Sequence, residues 1–138
     1  MADDILNSTS TPNIQEDKKT ILLIEDDPFI AGIYKEKLTI EGFNVLHAED
    51  GLQGLNFALT QKVDLMLLDI LIPKLSGVDL LARLRQDERG KNVPVIALTN
   101  LSGKGDEEAV MGYGAKDYLV KSDYTPGQVV EIIRKYLP

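Results

Sequence analysis

The strongest constraint on the fold is a pair of short apolar runs that both end in acid. Residues 20–24 read TILLI and lead straight into Glu25, Asp26 and Asp27; residues 63–68 read VDLMLL and lead into Asp69. Such a run, bounded by polar residues, marks a strand buried on both faces, as in parallel sheets covered by helices. Parallel strands share their edges, so carboxylates that close two of them meet at one edge. Open α/β sheets bind ligands at that carboxyl edge, where the strand order switches. A cluster of oxygen donors there suits a hard divalent cation. The chemistry this favours is chemistry on phosphate.

From Lys19 onward, short apolar runs alternate with helical patterns. Asp27 stands as a helix N-cap with Pro28 at the first helical position. Ile30, Ile33, Tyr34 and Leu38 follow at the spacing of one buried face. Gly42 stops that helix ahead of a second strand at 43–47. A helix over 51–60 carries Leu52, Leu55 and Leu59 on one side, and the third strand is 63–68. Pro73 and Gly77 bracket a turn before the helix of Val78, Leu81 and Leu84. A fourth strand falls at 93–98, a short glycine-flanked helix at 107–113 and a fifth strand at 118–120. Pro126 opens a last helix with Val129, Val130, Ile133 and Leu137 facing inward. Five βα units joined by right-handed crossovers predict an α/β fold. The expected form is a three-layer (βα)5 doubly wound parallel sheet, flavodoxin-like, in strand order 2-1-3-4-5.

Composition narrows the chemistry. The chain has 138 residues, 43% of them apolar, which suits one domain with one core. Cysteine is absent, which excludes a disulfide framework, a thiolate zinc site and thiol catalysis and fits a reducing, cytoplasmic setting. The single histidine, His47, rules out a histidine-rich metal site and is expected to be half-buried or on the surface. A net charge of -7 argues against direct nucleic-acid binding. Apolar segments fall short of the roughly 20 residues a membrane helix needs, so no membrane insertion is expected. Residues 1–17 hold four acids and no base among Ser, Thr, Asn and Pro. Residues 1–18 are therefore expected to be a flexible acidic tail ahead of a domain over 19–138. The stretch SGKGDEE at 102–108 lacks the spacing of a phosphate-cradling loop.

Four of the five strands end on polar residues able to converge: Glu25 and Asp26, Asp69, Thr99, and Lys121. Two or three carboxylates concentrate a charge that a cation offsets, and all-oxygen ligation suits Mg²⁺, with Mn²⁺ possible. Asp69 closes the most buried strand and is the candidate nucleophile, since a carboxylate can form an aspartyl phosphate. Lys121 supplies a point positive charge for a transferred phosphoryl group, and the Thr99 hydroxyl a hydrogen bond. The backbone carbonyl of Leu71 is a candidate third protein ligand to the ion. Tyr118, three residues before Lys121 and close to Thr99, is either core packing or an aromatic that reports occupancy. Asp27 reads as a cap only.

These residues resemble the receiver domain of two-component response regulators, the CheY-like superfamily. The resemblance covers residues 19–138 and rests on ILLIEDDP (21–28), LMLLDILIPKLSGVDLL (65–81), VIALTN (95–100) and GAKDYLVKS (114–122). It implies that Asp69 accepts a phosphoryl group from a sensor histidine kinase or a histidine phosphotransfer protein. Glu25 and Asp26 would organise Mg²⁺, with Asp26 the more direct ligand, while Thr99 and Lys121 contact the phosphoryl group. Tyr118 resembles the switch aromatic on the face of the fourth helix, fifth strand and fifth helix, where a downstream protein or a second receiver binds. In the family, the positions of Leu71 and Asn100 border the route of the water that removes the phosphoryl group. Leucine cannot orient that water, so a fairly long-lived phosphoryl state is expected. One departure stands out: the family usually follows the lysine with a cis-bonded proline, but Ser122 follows here. A cis bond to a non-proline residue costs roughly 2.5–4 kcal/mol, so a trans bond and an altered loop are expected.

The preferred expectation is a stand-alone, single-domain regulator that transfers and slowly loses its own phosphoryl group, without conventional multiple turnover. Three alternatives compete. A phosphorylation-independent scaffold would have no need of intact Glu25, Asp26, Asp69, Thr99 and Lys121. A metal-dependent phosphatase with an aspartyl nucleophile often has an acid/base aspartate two positions on, where Leu71 stands. A flavin-binding domain of similar layering would have acids crowding its phosphate.

Overall fold

Burial and capping together lay out the chain, described over residues 14–100 and 104–138 in a computed structural model. The strands are β1 (Thr20–Ile24), β2 (Asn44–Ala48), β3 (Leu65–Leu68), β4 (Val95–Thr99) and β5 (Asp117–Val120). The helices are α1 (Pro28–Ile40), α2 (Gly51–Thr60), α3 (Gly77–Gln86), α4 (Lys104–Gly112) and α5 (Pro126–Tyr136). All strand pairs are parallel, and the order is β2-β1-β3-β4-β5. This is the expected doubly wound α/β sheet.

Every residue of β1, β3 and β4 is buried, because both faces of the sheet are covered. Side chains alternate along a strand. Leu22, Ile24, Met66, Leu68, Val95 and Ala97 therefore share one face with Ala58 of α2, Leu80, Leu81 and Leu84 of α3, and Val110 of α4. Ile21, Leu23, Leu65, Leu67, Ile96 and Leu98 share the other with Ala31, Tyr34 and Leu38 of α1 and Val129, Val130 and Ile133 of α5. Three layers result.

Caps fix where helices start at the carboxyl edge. Asp27 accepts the N–H groups of Phe29 and Ile30, Asp50 that of Gln53, and Ser76 that of Asp79. Thr125 and Gln128 form a reciprocal capping box at α5. Each satisfies an otherwise orphaned first-turn donor. At the far end of α1, Gly42 takes φ +97°, its N–H donates to the Thr39 carbonyl, and the N–H of Phe43 donates to that of Leu38. That 6→1 and 5→2 pair is a Schellman stop.

Several boundaries move from their expected places for local reasons. Phe43 belongs to the Schellman stop, so β2 begins at Asn44. Asp64 uses its carboxylate to accept the Thr20 N–H at 2.8 Å, so β3 begins at Leu65. Two expected core residues, Leu52 and Ile33, are exposed at 49% and 40%. Instead α2 buries Gly51, Gly54 and Ala58, and it lies so close to the sheet that a Cβ on Gly54 would stand 2.5 Å from Ile24 Cδ1. On α1 the inward face is Ala31, Tyr34 and Leu38. The helix expected at 107–113 begins three residues earlier, at Lys104.

The expected tail lies outside the described residues over 1–13. At 14–18 the chain is tied to the amino edge of the sheet. Buried Asn44 donates to the carbonyls of Gln15 (2.7 Å) and Lys18 (3.3 Å) and accepts the Gln15 N–H at 3.1 Å. Across the sheet, Arg85 joins α3 to the turn before β5, donating to the carbonyls of Gly90, Val93, Tyr113 and Gly114.

Two glycine substitutions separate conformation from space. A Cβ added to either Gly32 or Gly42 would meet no atom within 4 Å, but only Gly42 needs a positive φ. Gly42→Ala is expected to cost about 1–2 kcal/mol in urea unfolding. Gly32→Ala, in the exposed middle of α1, is expected to gain up to about 1 kcal/mol. Equal signs for the two would contradict this account.

Candidate functional site

The carboxyl edge gathers residues from both sides of the switch between β1 and β3. The N–H of Glu25 donates to the Ala48 carbonyl and that of Asp69 to the Ile24 carbonyl, each at 3.0 Å, so both acids leave the sheet in fixed register. Glu25 is 3% exposed and Asp69 7%, while Asp26 is exposed. One carboxylate oxygen from each of the three lies within 4.8 Å of those of the other two. A cleft of about 260 Å³ opens over them, lined also by Asp27, Ile30, Leu71, Asn100 and Lys121.

Lys121 reaches this cluster from beyond β5, passing over the end of β4. Its Nζ donates to Asp69 Oδ2 at 2.9 Å and, in a short contact, to Glu25 Oε1. Asp69 Oδ1 accepts the N–H of Leu71 at 3.0 Å. Glu25 Oε2 accepts the N–H of Asp27 at 3.1 Å. The Glu25 backbone is pinned as well: its carbonyl accepts from His47 Nε2 at 2.8 Å, and since a carbonyl only accepts, that nitrogen carries the hydrogen. His47 is half-buried and serves the site through this bond.

Burial raises the pKa of Glu25 above its usual value, against the opposing pull of the Lys121 hydrogen bond. Burial alone would lower the Lys121 pKa, but its bonds to Glu25 and Asp69 prevail and hold the ammonium above its usual value. The lysine is therefore charged across the neutral range. Three carboxylates against one ammonium leave two negative charges, which a divalent cation balances. With oxygen donors only and an open cleft, the set is compatible with a hard divalent cation such as Mg²⁺, which takes few protein carboxylates and keeps several waters.

The remaining expected residues sit at the margin. Thr99 ends β4 and is fully buried; it is beside the cleft lining, whereas its neighbour Asn100 is in it. Tyr118, paired in register with Ala97, is half-buried against the core beneath α2, α3 and α4. Burial first, then the charges of Asp106 and Glu107 on α4, push its phenol pKa up. Leu71 lines the cleft and is 55% exposed. Asp27 is the cap it was expected to be. The described peptide bonds, Lys121–Ser122 included, are trans, and residues Lys121–Asp123 form a single 3₁₀ turn. Sequence reasoning had no signal for the His47 bond or for the Asp27 N–H that holds Glu25.

Residues 21–134 match the family model for the response regulator receiver domain. The polar-differentiation response regulator DivK of Brucella anthropi is 30% identical over 119 residues, covering 86% of this chain and 96% of that protein. A CheY-like response regulator receiver domain protein from Methanospirillum hungatei JF-1 superposes with a TM-score of 0.81 at 27% identity, covering 87% of this chain and 94% of that one. The receiver domain of the sensor histidine kinase PA1611 from Pseudomonas aeruginosa PAO1 gives 0.78 at 32% identity, covering 86% and 97%. That domain was solved with a magnesium ion coordinated in its active site cleft. Among the described residues, no helix is long and apolar enough to cross a membrane.

Lys121→Met tests the electrostatics directly. Removing one partner of a buried ion pair leaves uncompensated charge, at a cost of about 3 kcal/mol at pH 7 in chelator. A carboxyl whose folded pKa lies above its unfolded value binds protons more readily when folded, so stability rises as pH falls towards that unfolded value. The loss is therefore expected to shrink at pH 5, and urea unfolding at both pH values checks it. An equal loss at both would contradict the charge account.

Proposed function

The chain belongs to the response regulator receiver domain family, and from that premise we propose that it is a phosphorylation-dependent signalling switch with Asp69 as phosphoacceptor. The observation that carries this reading is the ammonium of Lys121 shared between Asp69 and Glu25, with Asp26 alongside. Ordinary stability does not call for such a cluster, since each buried ion costs several kcal/mol in lost hydration.

The donor is a phosphohistidine on a sensor histidine kinase or a histidine phosphotransfer protein. A carboxylate oxygen of Asp69 forms the new O–P bond as the N–P bond of the donor breaks; the departing imidazole keeps the bonding pair and takes up a proton. Leu71 N–H and Lys121 Nζ hold the carboxylate in place beforehand. Lys121 then faces the phosphoryl oxygens and offsets their charge, and the Thr99 hydroxyl donates to them. Glu25, Asp26, Asp69 and the Leu71 carbonyl would hold Mg²⁺, with Mn²⁺ a substitute. The ion, when bound, neutralises charge between an anionic acceptor and an anionic donor.

The new oxygens draw Thr99 and the segment after β4 towards Asp69, and Tyr118 beneath α4 responds. The output face is α4–β5–α5, read by a downstream protein or a second receiver. Residues 19–138 act as the receiver domain behind an acidic tail at 1–18, in the cytoplasm, where ATP-fed phosphohistidine donors are made. Loss of the phosphoryl group to water is slow, so the chain is not a multiple-turnover enzyme.

Incubation with Mg²⁺ and acetyl phosphate, read by intact mass, tests this. Wild type is expected to gain one phosphoryl group, and Asp69→Asn or wild type in chelator none. No gain on wild type, or the same gain on Asp69→Asn, defeats the reading. Leu71→Asn, which places an amide at the cleft, is expected to shorten the phosphoryl lifetime several-fold. A lifetime equal to wild type would remove Leu71 from that role.

A further inference from the structure

The link from β3 to α3 carries two groups of the site at its start: the Asp69 carboxylate and the Leu71 peptide bonded to it. The rest of the link is held from outside. Lys74 has φ 70°, in the left-handed region. The N–H of Leu75 donates to the Pro73 carbonyl at 2.8 Å, closing a γ-turn about Lys74. The same Pro73 carbonyl accepts the N–H of Gly51, the first residue of α2, at 3.1 Å. A Cβ on Gly51 would stand 2.0 Å from the Leu75 carbonyl oxygen, so the two backbones touch and only glycine fits between them. Asp50, the α2 cap, also pairs with Lys74 at 3.5 Å.

A left-handed lysine persists only where its surroundings over-determine it. Here they consist of the start of α2 on one side and, at the far end of the link, the Gly77 N–H on the Ile70 carbonyl at 2.9 Å. Between those two anchors the Leu71 peptide has little freedom, and its N–H sets one oxygen of Asp69. We propose that Gly51 is a positioning residue for phosphoryl transfer: its bare backbone lets the Pro73–Leu75 turn close on α2 and so fixes the Leu71 peptide against Asp69. This rests on the reading of Asp69 as acceptor and adds to it a group on another element that touches neither the ion nor the phosphoryl group.

Gly51→Ala in the full chain tests it. In metal-free protein, the Leu71 and Leu75 amides are expected to exchange faster, while those of Leu22 and Leu67 keep their protection. Mg²⁺ affinity by calorimetric titration is expected to fall about tenfold, the usual effect of losing support behind a ligand. A merely structural role would move the unfolding temperature and Leu75 exchange alone. A folded variant with wild-type Leu71 exchange and Mg²⁺ affinity overturns the proposal. Should Gly51→Ala fail to fold, Asp50→Ala removes the cap and the Lys74 pair without adding bulk. A smaller loss in the same direction is expected from it, and unchanged Leu71 exchange overturns the proposal. Wild type that binds Mg²⁺ but takes no phosphoryl group defeats the acceptor reading instead, and amide exchange still decides the role of Gly51.

Discussion

An ammonium buried between two carboxylates is costly to assemble, and the architecture is arranged around doing so. Lys121, Asp69 and Glu25 come from beyond three different strands and meet with side chains at most 10% exposed. Hydration lost by each charge amounts to several kcal/mol and is recovered only if every lone pair and proton finds a partner. Each oxygen of the two buried carboxylates has a donor: Asp69 and Glu25 each hold a backbone N–H on the oxygen that Lys121 leaves free. The cluster carries surplus negative charge, which is compatible with a divalent ion and is what the proposed transfer of a phosphoryl group to Asp69 draws on.

The sheet makes this possible by separating rigid from adjustable parts. Strands β1, β3 and β4 are wholly buried and set the departure points of Glu25, Asp69 and Thr99. Helix caps then take up the first-turn donors that crowd the same edge, leaving Asp27, Asp50, Ser76 and Thr125 engaged in local structure. At the opposite edge, Asn44 holds residues 15 and 18, and Arg85 joins the loops before β4 and β5.

The layers and the meeting of Glu25, Asp26, Asp69 and Lys121 were legible from local pattern, whereas the strand order came from the general rule for doubly wound sheets, since periodicity alone does not fix it. Continuous apolar runs marked the buried strands, and Asp27–Pro28 and Pro126 marked helix starts. What escaped depends on close approach in three dimensions. Leu52 reads as core at helical spacing, but α2 rests on glycine and alanine against Ile24, which turns the larger residue outward. His47 reads as a lone histidine, and its bond to the Glu25 carbonyl follows only from the register of β1 and β2. Gly51 reads as a plain helix start. Its contact with Leu75 arises because two loops meet that are distant along the chain.

The central claim is that Asp69 is the group modified, and borohydride trapping tests it most directly. Reduction of an acyl phosphate converts the aspartate that carried it to homoserine, which peptide mass spectrometry locates. After treatment with Mg²⁺ and acetyl phosphate, this account predicts homoserine at position 69 and aspartate retained at 26 and 27. Conversion at another acid, or at none, would contradict it.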